Sequence, residues 1–332
     1  MALKVAINGT GRIGIIAAKI IAQRNDIELV AINTTSDLEM LVYLLKYDSV
    51  HLGVQAEIID DEHIEINGCK VKVFSTRNPK ELDFGQYGAK VVIECTGKFL
   101  TTESCQDHLR EGVERVIMSA PAKDDTPTYV YKINSDNYSG EKIISNASCT
   151  TNCLAPICKV LDDNFGIENG LMTTIHSYTN DQNILDVKHN KDMRRARAAA
   201  LNMIPTTTGA AKAIGKVMPN LLGKLNGYAM RVPTADVSVV DLTVNLKKDT
   251  TKEEINKVMK DASLEAFDGL IEIDEDKRVS SDFIGSSYSA TFVPDMTSVV
   301  DDKTVKVLAW YDNEWGYTSR LVDMALFIGK DI

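Results

Sequence analysis

Lys4–Gly14, KVAINGTGRIG, is the stretch on which the fold turns. The apolar run Lys4–Asn8 reads as a strand and stops at Gly9-Thr10-Gly11-Arg12-Ile13-Gly14. Arg12–Arg24 then sets Ile13, Ile16, Ala17, Ile20 and Ile21 at helical spacing. A strand that passes through these glycines into a helix is built to hold a dinucleotide. Gly9 permits the tight turn, Gly11 lets a pyrophosphate approach the backbone, and Gly14 lets helix and strand pack closely. The helix N-terminus faces the anion.

Working outward, Glu28–Asn33, Lys90–Cys95 and Glu114–Met118 are further apolar strands, and Leu38–Lys46 is a helix. Apolar strands alternating with helices predict a parallel sheet covered on both faces. Val54–Phe74 reads as a small antiparallel insert with a turn at Asn67-Gly68. The second half changes character. Leu171–Ser177, Asn226–Val232, Val237–Leu246 and Val305–Tyr311 are longer strands, several of them alternating. Helices are predicted at Thr151–Phe165, Gly209–Val217, Lys252–Phe267 and Trp315–Lys330. The expected fold is α/β: a Rossmann-type parallel-sheet domain, residues 1–148, and an α+β catalytic domain with a mixed or antiparallel sheet, residues 149–314. The C-terminal helix, 315–332, is expected to dock back onto the first domain.

The chain has 332 residues, enough for about two domains of ~100–200 residues. Its formal net charge of −10 argues against general nucleic-acid binding, which needs a basic footprint. No apolar run reaches the roughly 18 residues of a membrane span. MALKVAING runs straight into a strand pattern with no signal-peptide core. The six cysteines form no C-x-x-C pair, and a reducing cytoplasm is the expected location.

Ser145–Cys153, SNASCTTNC, lies between a strand and a helix. Ser148 suits the N-cap, and Cys149 then falls in the first turn, where free N–H groups and the helix dipole favour a thiolate and can hold an oxyanion. Cys153, one turn on, reads as a packing residue, and C-x3-C without nearby histidines is poor zinc spacing, so no metal is expected. His176 ends the strand TTIHSYT, Thr173–Thr179, and can act as base and then acid for Cys149. A lone histidine or cysteine is more often structural. A thiol, an imidazole and a dinucleotide fold together make the set an aldehyde dehydrogenase needs.

About 20 residues beyond the glycines, an acidic residue should grip the ribose 2′-hydroxyl. Here the second strand ends Asn33-Thr34-Thr35. A carboxylate at ~5 Å would cost a 2′-phosphate roughly 3 kcal/mol per charge pair at an effective dielectric near 20. Thr34 removes that repulsion and leaves NADP open beside NAD. The alternative is that Asp37, just downstream, takes the ribose role.

Over nearly its whole length the chain resembles the phosphorylating glyceraldehyde-3-phosphate dehydrogenases. The resemblance rests on INGTGRIG, YDSVH, ECTGKF, SAPAKDD, SNASCTTNCLAP, HSYTNDQ, RRARAAALNMIPTTTGAAKA, RVPTADVSVVDL and WYDNEWGY. It implies oxidation of D-glyceraldehyde 3-phosphate to 1,3-bisphosphoglycerate by a cytoplasmic homotetramer, with Cys149 as thioester nucleophile and His176 as base. Thr179 and Arg231 would hold the substrate's C3 phosphate. Ser148, Thr150, Thr208, Gly209 and Arg195 would hold the attacking inorganic phosphate. The coenzyme would meet Gly9, Gly11, Arg12, Ile13, Gly14, Asn33, Thr34, Arg77, Ser119, Asn313 and Tyr317. Arg194 and Arg197 read as a solvated basic face. The chain departs from the family at Thr10, usually phenylalanine, at Thr34, usually aspartate, and at Val187-Lys188, usually Leu-Pro. Lys188 would replace a proline that helps exclude a 2′-phosphate, so NAD and NADP are both expected as cofactors. An erythrose-4-phosphate dehydrogenase and a non-catalytic coenzyme-binding or surface interaction protein are the alternatives.

Overall fold

The computed structural model describes residues 2–332. They form two compact units, one running up to Ser148 and taking in Thr318–Ile332, the other Cys149–Tyr317.

In the first unit β1 (Leu3–Asn8), α1 (Arg12–Ile21), β2 (Ile27–Asn33) and α2 (Leu38–Lys46) build the start of the sheet. The chain continues through β3 (Ala56–Asp60), β4 (His63–Ile66), β5 (Cys69–Phe74), β6 (Val91–Glu94), the short α3 (Thr102–Cys105), β7 (Arg115–Met118) and β8 (Ile143–Ser145). The strand order is β3-β4-β5-β2-β1-β6-β7-β8, and the six strands from β5 to β8 run parallel. Val5, Ala6 and Ile7 of the central β1 are fully buried, as a strand covered on both faces must be. α1 stops at Ile21 rather than Arg24. Residues 22–26 turn the chain so that Ile27 pairs with Leu3, and Arg24 holds Asp26 and Asp323 at 2.8 Å. The insert is antiparallel at β3-β4-β5, with Asn67 and Gly68 at φ 47° and 85°, the two positive values that a type I′ hairpin requires. It is not a separate lobe: β5 pairs in parallel with β2 and extends the main sheet.

The second unit opens with α4 (Cys149–Phe165), which starts two residues before the expected position and so makes Cys149 its first helical residue. β9 (Ile167–Ser177), β10 (Ile204–Thr207), α5 (Ala210–Val217), β11 (Leu225–Val232), β12 (Ser238–Leu246), α6 (Lys252–Leu264), β13 (Ile271–Ile273), β14 (Ala290–Phe292), β15 (Ser298–Val300), β16 (Thr304–Tyr311) and α7 (Trp315–Ile328) follow. α6 begins with a Thr251/Glu254 capping box and ends three residues before the expected Phe267. The sheet order is β10-β11-β9-β12-β16-β14-β13, with β15 against β16, and it is mixed: β9 has β11 in parallel on one side and β12 antiparallel on the other. Four of these strands, β10, β13, β14 and β15, are only three or four residues long and carry no alternation by which a sequence could announce them. From Thr318 onward the last helix belongs to the first unit, where Phe327 packs edge-on against Tyr131 and Tyr138.

Candidate active site

Along β9 the alternation of a strand puts Thr174 and His176 on one buried face. Parallel pairing with β11 sets His176 directly opposite Arg231, and antiparallel pairing of β12 with β16 sets Ser238 opposite Tyr311. α4 delivers Cys149 and Thr150 to the same place. The Cys149 sulfur lies 3.5 Å from His176 Nε2. The Tyr311 hydroxyl is 2.9 Å from both the Thr150 and Thr174 hydroxyls, and its ring packs edge-on against the imidazole at 6.0 Å. Tyr311 is a site residue that motif reading passed over. Its only signal is an inward position in an alternating strand.

His176 Nδ1 and Arg231 Nη1 both lie 2.8 Å from the Ser177 carbonyl and 2.8 Å from each other. Two tautomers compete there. With the proton on Nδ1, the imidazole donates to Ser177 and turns a bare Nε2 toward Cys149. With Nδ1 bare, Arg231 donates to it and Nε2–H points at the sulfur. Only the first leaves Nε2 able to accept a proton. Burial, reinforced by the Arg231 charge, pushes the His176 pKa down to about 3. Burial also pushes the Cys149 thiol up, against the opposing pull of Arg231 and of the Thr150 hydroxyl and amide. Burial of the sulfur therefore works against the donors at the start of α4 expected to favour a thiolate, and those donors, the Thr150 hydroxyl and the Thr150 and Cys149 amides, are in place.

Around this centre, the Asn313 side-chain oxygen accepts from the Ser177 hydroxyl at 2.8 Å and the Ser238 hydroxyl at 2.7 Å, which fixes the amide plane. Tyr317 is buried. Thr179 is half-buried and its carbonyl accepts from the Gln182 N–H at 2.8 Å. Arg195 donates to the Thr206 hydroxyl at 2.8 Å and to Asp181 at 2.5 Å, so a carboxylate holds it. Thr208 accepts from Ala210 N–H at 3.2 Å at the start of α5, and Gly209 is exposed, with open space where a Cβ would project. Ser148 is half-buried next to the nucleophile. Lys188 is exposed on the long loop after β9, as is Arg197, which pairs with Asp186 at 2.9 Å.

The first unit holds a cavity of about 270 Å³ at the end of β1. Gly9, Thr10, Gly11, Asn33, Thr34 and Arg77 are among its walls, with Lys98. Among the described residues no carboxylate lines it, and Arg77 and Lys98 are its two cations. The glycines behave as their spacing predicts. Gly9 has φ +102°, a Cβ on Gly14 would sit 1.9 Å from the Gly9 carbonyl oxygen, and a Cβ on Gly11 would meet nothing within 4 Å. Open backbone at Gly11 beside a helix N-terminus fits a pyrophosphate. Arg12, Ile13, Gly14 and Ser119 do not line the cavity. Arg12 turns to Asp48 at 2.8 Å, Ile13 is half-buried on α1, Gly14 packs behind the turn, and Ser119 hydrogen-bonds Cys95, which does line it. Asp37 caps α2 by accepting from Met40 N–H at 2.7 Å and is absent from the walls. Sequence reasoning also missed the buried support beneath: Asn8 donates to Glu94 at 2.5 Å and accepts from Asn33 at 2.8 Å, and His108 closes on Glu94 at 3.2 Å.

Residues 3–102 match the family model for the NAD binding domain of glyceraldehyde 3-phosphate dehydrogenase, and residues 148–313 match the model for its C-terminal domain. The chain is 50% identical to the glyceraldehyde-3-phosphate dehydrogenase of Geobacillus stearothermophilus over 99% of each chain. It is 48% identical to glyceraldehyde-3-phosphate dehydrogenase 1 of Bacillus subtilis, again over 99% of each. It is 51% identical to the chloroplastic glyceraldehyde-3-phosphate dehydrogenase A of Zea mays, over 97% of this chain and 81% of that one.

Proposed function

This chain belongs to the glyceraldehyde-3-phosphate dehydrogenase family, and from that premise we propose that Cys149 and His176 perform a phosphorylating oxidation with either NAD or NADP as coenzyme. The protein is an oxidoreductase that oxidises glyceraldehyde 3-phosphate and carries an NAD-binding domain. The observation that carries the chemical reading is the 3.5 Å approach of the Cys149 sulfur to His176 Nε2.

His176 takes the thiol proton, and the sulfur adds to the aldehyde carbon. The resulting oxyanion recovers a proton, which gives a hemithioacetal. A bound nicotinamide coenzyme supplies the hydride acceptor. His176 removes the hydroxyl proton as the carbon is oxidised, leaving a thioester on Cys149. Inorganic phosphate then attacks the thioester carbonyl, the C–S bond breaks, and the sulfur regains its proton from His176 as the acyl phosphate leaves. Arg231 and Thr179 hold the C3 phosphate in this scheme. Ser148, Thr150, Arg195, Thr208 and Gly209 would hold the attacking phosphate, and Asn313 and Tyr317 would help hold the nicotinamide. In a protein of net charge −10, two anionic subsites need such local cations and hydroxyls.

The NADP part rests on Thr34 in a cavity with two cations and no carboxylate, and on Lys188 in the loop that reaches the adenosine ribose of a neighbouring subunit in the family. Assembly as a cytoplasmic homotetramer belongs to the same proposal. It is supported by exposed apolar side chains between β9 and β10, where Leu185, Met193, Leu201 and Met203 are 72–92% accessible. A spectrophotometric assay of coenzyme reduction, with and without inorganic phosphate, tests the reading. Reduction should require phosphate and proceed with both coenzymes. A kcat/KM for NAD more than about a hundredfold above that for NADP, the size of the charge effect at position 34, rejects dual use. Cys149→Ser should lower turnover by orders of magnitude while coenzyme affinity, measured by titration calorimetry, stays near that of the parent.

A further inference from the structure

We propose that Thr10 and Thr34 act as one hydroxyl pair that reads the 2′ position of the coenzyme ribose, which makes Thr10 a specificity-determining residue. The inference rests on the NADP reading above and adds a residue to it. The two hydroxyl oxygens lie 2.6 Å apart, across 24 residues of sequence, on the wall of the cavity. Thr34 is 2% exposed, its amide donates to the Phe74 carbonyl at 3.0 Å, and its hydroxyl accepts from Ser36 N–H at 3.1 Å. Neither hydroxyl has a further partner among the described residues.

Proton counting gives the consequence. Two hydroxyls carry two protons, and one is spent between them. Whichever threonine donates, one proton is left for an outside acceptor, because the lone pair given to Ser36 N–H costs none. A 2′-phosphate is acceptor-only and dianionic. A 2′-hydroxyl is both donor and acceptor, so a single donor held on a rigid base serves either ligand. An aspartate at position 34 would offer acceptors alone and repel the phosphate. Phenylalanine at position 10, the usual residue of the family, would leave the Thr34 hydroxyl without a partner to set its direction. The mutual bond is made before any ligand arrives, so its ordering cost does not fall on binding. Arg77 and Lys98 on the same walls supply positive charge for a phosphate.

Calorimetric titration of the full-length protein with 2′,5′-ADP and with 5′-AMP tests the pair without relying on turnover. Thr10→Val should weaken 2′,5′-ADP about tenfold, the effect of losing one hydrogen bond to a charged group, and 5′-AMP less than about threefold. Thr10→Ser, which keeps the hydroxyl, should restore 2′,5′-ADP binding. Thr34→Val approaches the pair from its other member and should give the same loss, and the double valine variant should lose no more than either single one. Equal weakening of both ligands, additive losses, or no effect of Thr10→Val overturns the pair while leaving NADP use standing. If the parent protein does not bind 2′,5′-ADP, the NADP reading falls and the pair with it.

Discussion

At the scale of single residues, the chemistry depends on protons held at unusual cost. His176 is buried beside Arg231, and its pKa is pushed down to about 3. The unfolded chain has an ordinary histidine there, near 6.5. Between these values the unfolded state binds a proton that the folded state refuses. The contribution to stability is therefore present above about pH 6.5 and is lost as the pH falls toward 3. His176→Asn should flatten the fall in melting temperature between pH 6.5 and 4, and parallel curves for parent and variant would sink this account. The same variant should slow alkylation of Cys149 by iodoacetamide at neutral pH if His176 is the base proposed above for the thiol proton; an unchanged rate would reject that role. Thr34 makes the complementary point for the coenzyme. Thr34→Asp places a carboxylate in a cavity that now has none, and it should shift the NAD/NADP ratio of kcat/KM toward NAD by roughly a hundredfold, as about 3 kcal/mol of repulsion requires. An unchanged ratio would show that the ribose contact lies elsewhere.

At the scale of elements, the glycine turn between β1 and α1 separates two roles that look alike in sequence. A Cβ at Gly14 would meet the Gly9 carbonyl oxygen at 1.9 Å, so Gly14→Ala must push helix from strand. It should cost about 1–3 kcal/mol in urea unfolding and weaken both coenzymes. A Cβ at Gly11 would meet no protein atom, so Gly11→Ala should leave stability unchanged and lose coenzyme affinity at least tenfold, by filling the space a pyrophosphate needs. The reverse pattern would mean that the turn is misread. α1 is also pinned from its side. Lys19 and Arg12 both reach Asp48, at 3.0 and 2.8 Å, and the Lys19 side chain is fully buried. Burial works to raise the Asp48 pKa, yet Arg12, the Val50 and His51 amides and Lys19 together hold it well below the usual carboxylate range. Asp48→Ala would strand a buried ammonium and should destabilise by about 3–5 kcal/mol, measured by denaturant unfolding; a loss under 1 kcal/mol would show that water or another group takes over.

At the scale of the whole molecule, an acidic chain sets Arg77 and Lys98 on the cavity of the first unit and Arg195 and Arg231 in the second, where the proposed function needs positive charge for its anions. If both coenzymes bind, each should raise stability by mass action, about 2.7 kcal/mol at a hundred times its Kd, and Cys149→Ser should keep that increment. Thermal unfolding with each coenzyme checks this, and a rise with NAD alone would contradict dual use. The sequence alone determined which segments are helix or strand in the long elements, the turn chemistry at Gly9–Gly14 and Asn67-Gly68, and the residue types offered as nucleophile and base. All of these are local: a period of two or 3.6, a glycine where φ is positive, a thiol ahead of a helix. Short strands such as β10 and β13–β15 were illegible because three or four residues carry no period. Only the tertiary structure decided that Arg231 lies opposite His176, that Tyr311 bridges Thr150 and Thr174, that Thr10 meets Thr34, and that Asp48 receives Lys19. These pairs stand 24 to 161 residues apart and meet by register and packing: 161 between Thr150 and Tyr311, 137 between Thr174 and Tyr311, 55 between Arg231 and His176, 29 between Lys19 and Asp48 and 24 between Thr10 and Thr34. Burial shifts Cys149 upward and His176 downward for the same reason: desolvation depends on everything packed around a group, and no window of sequence contains that.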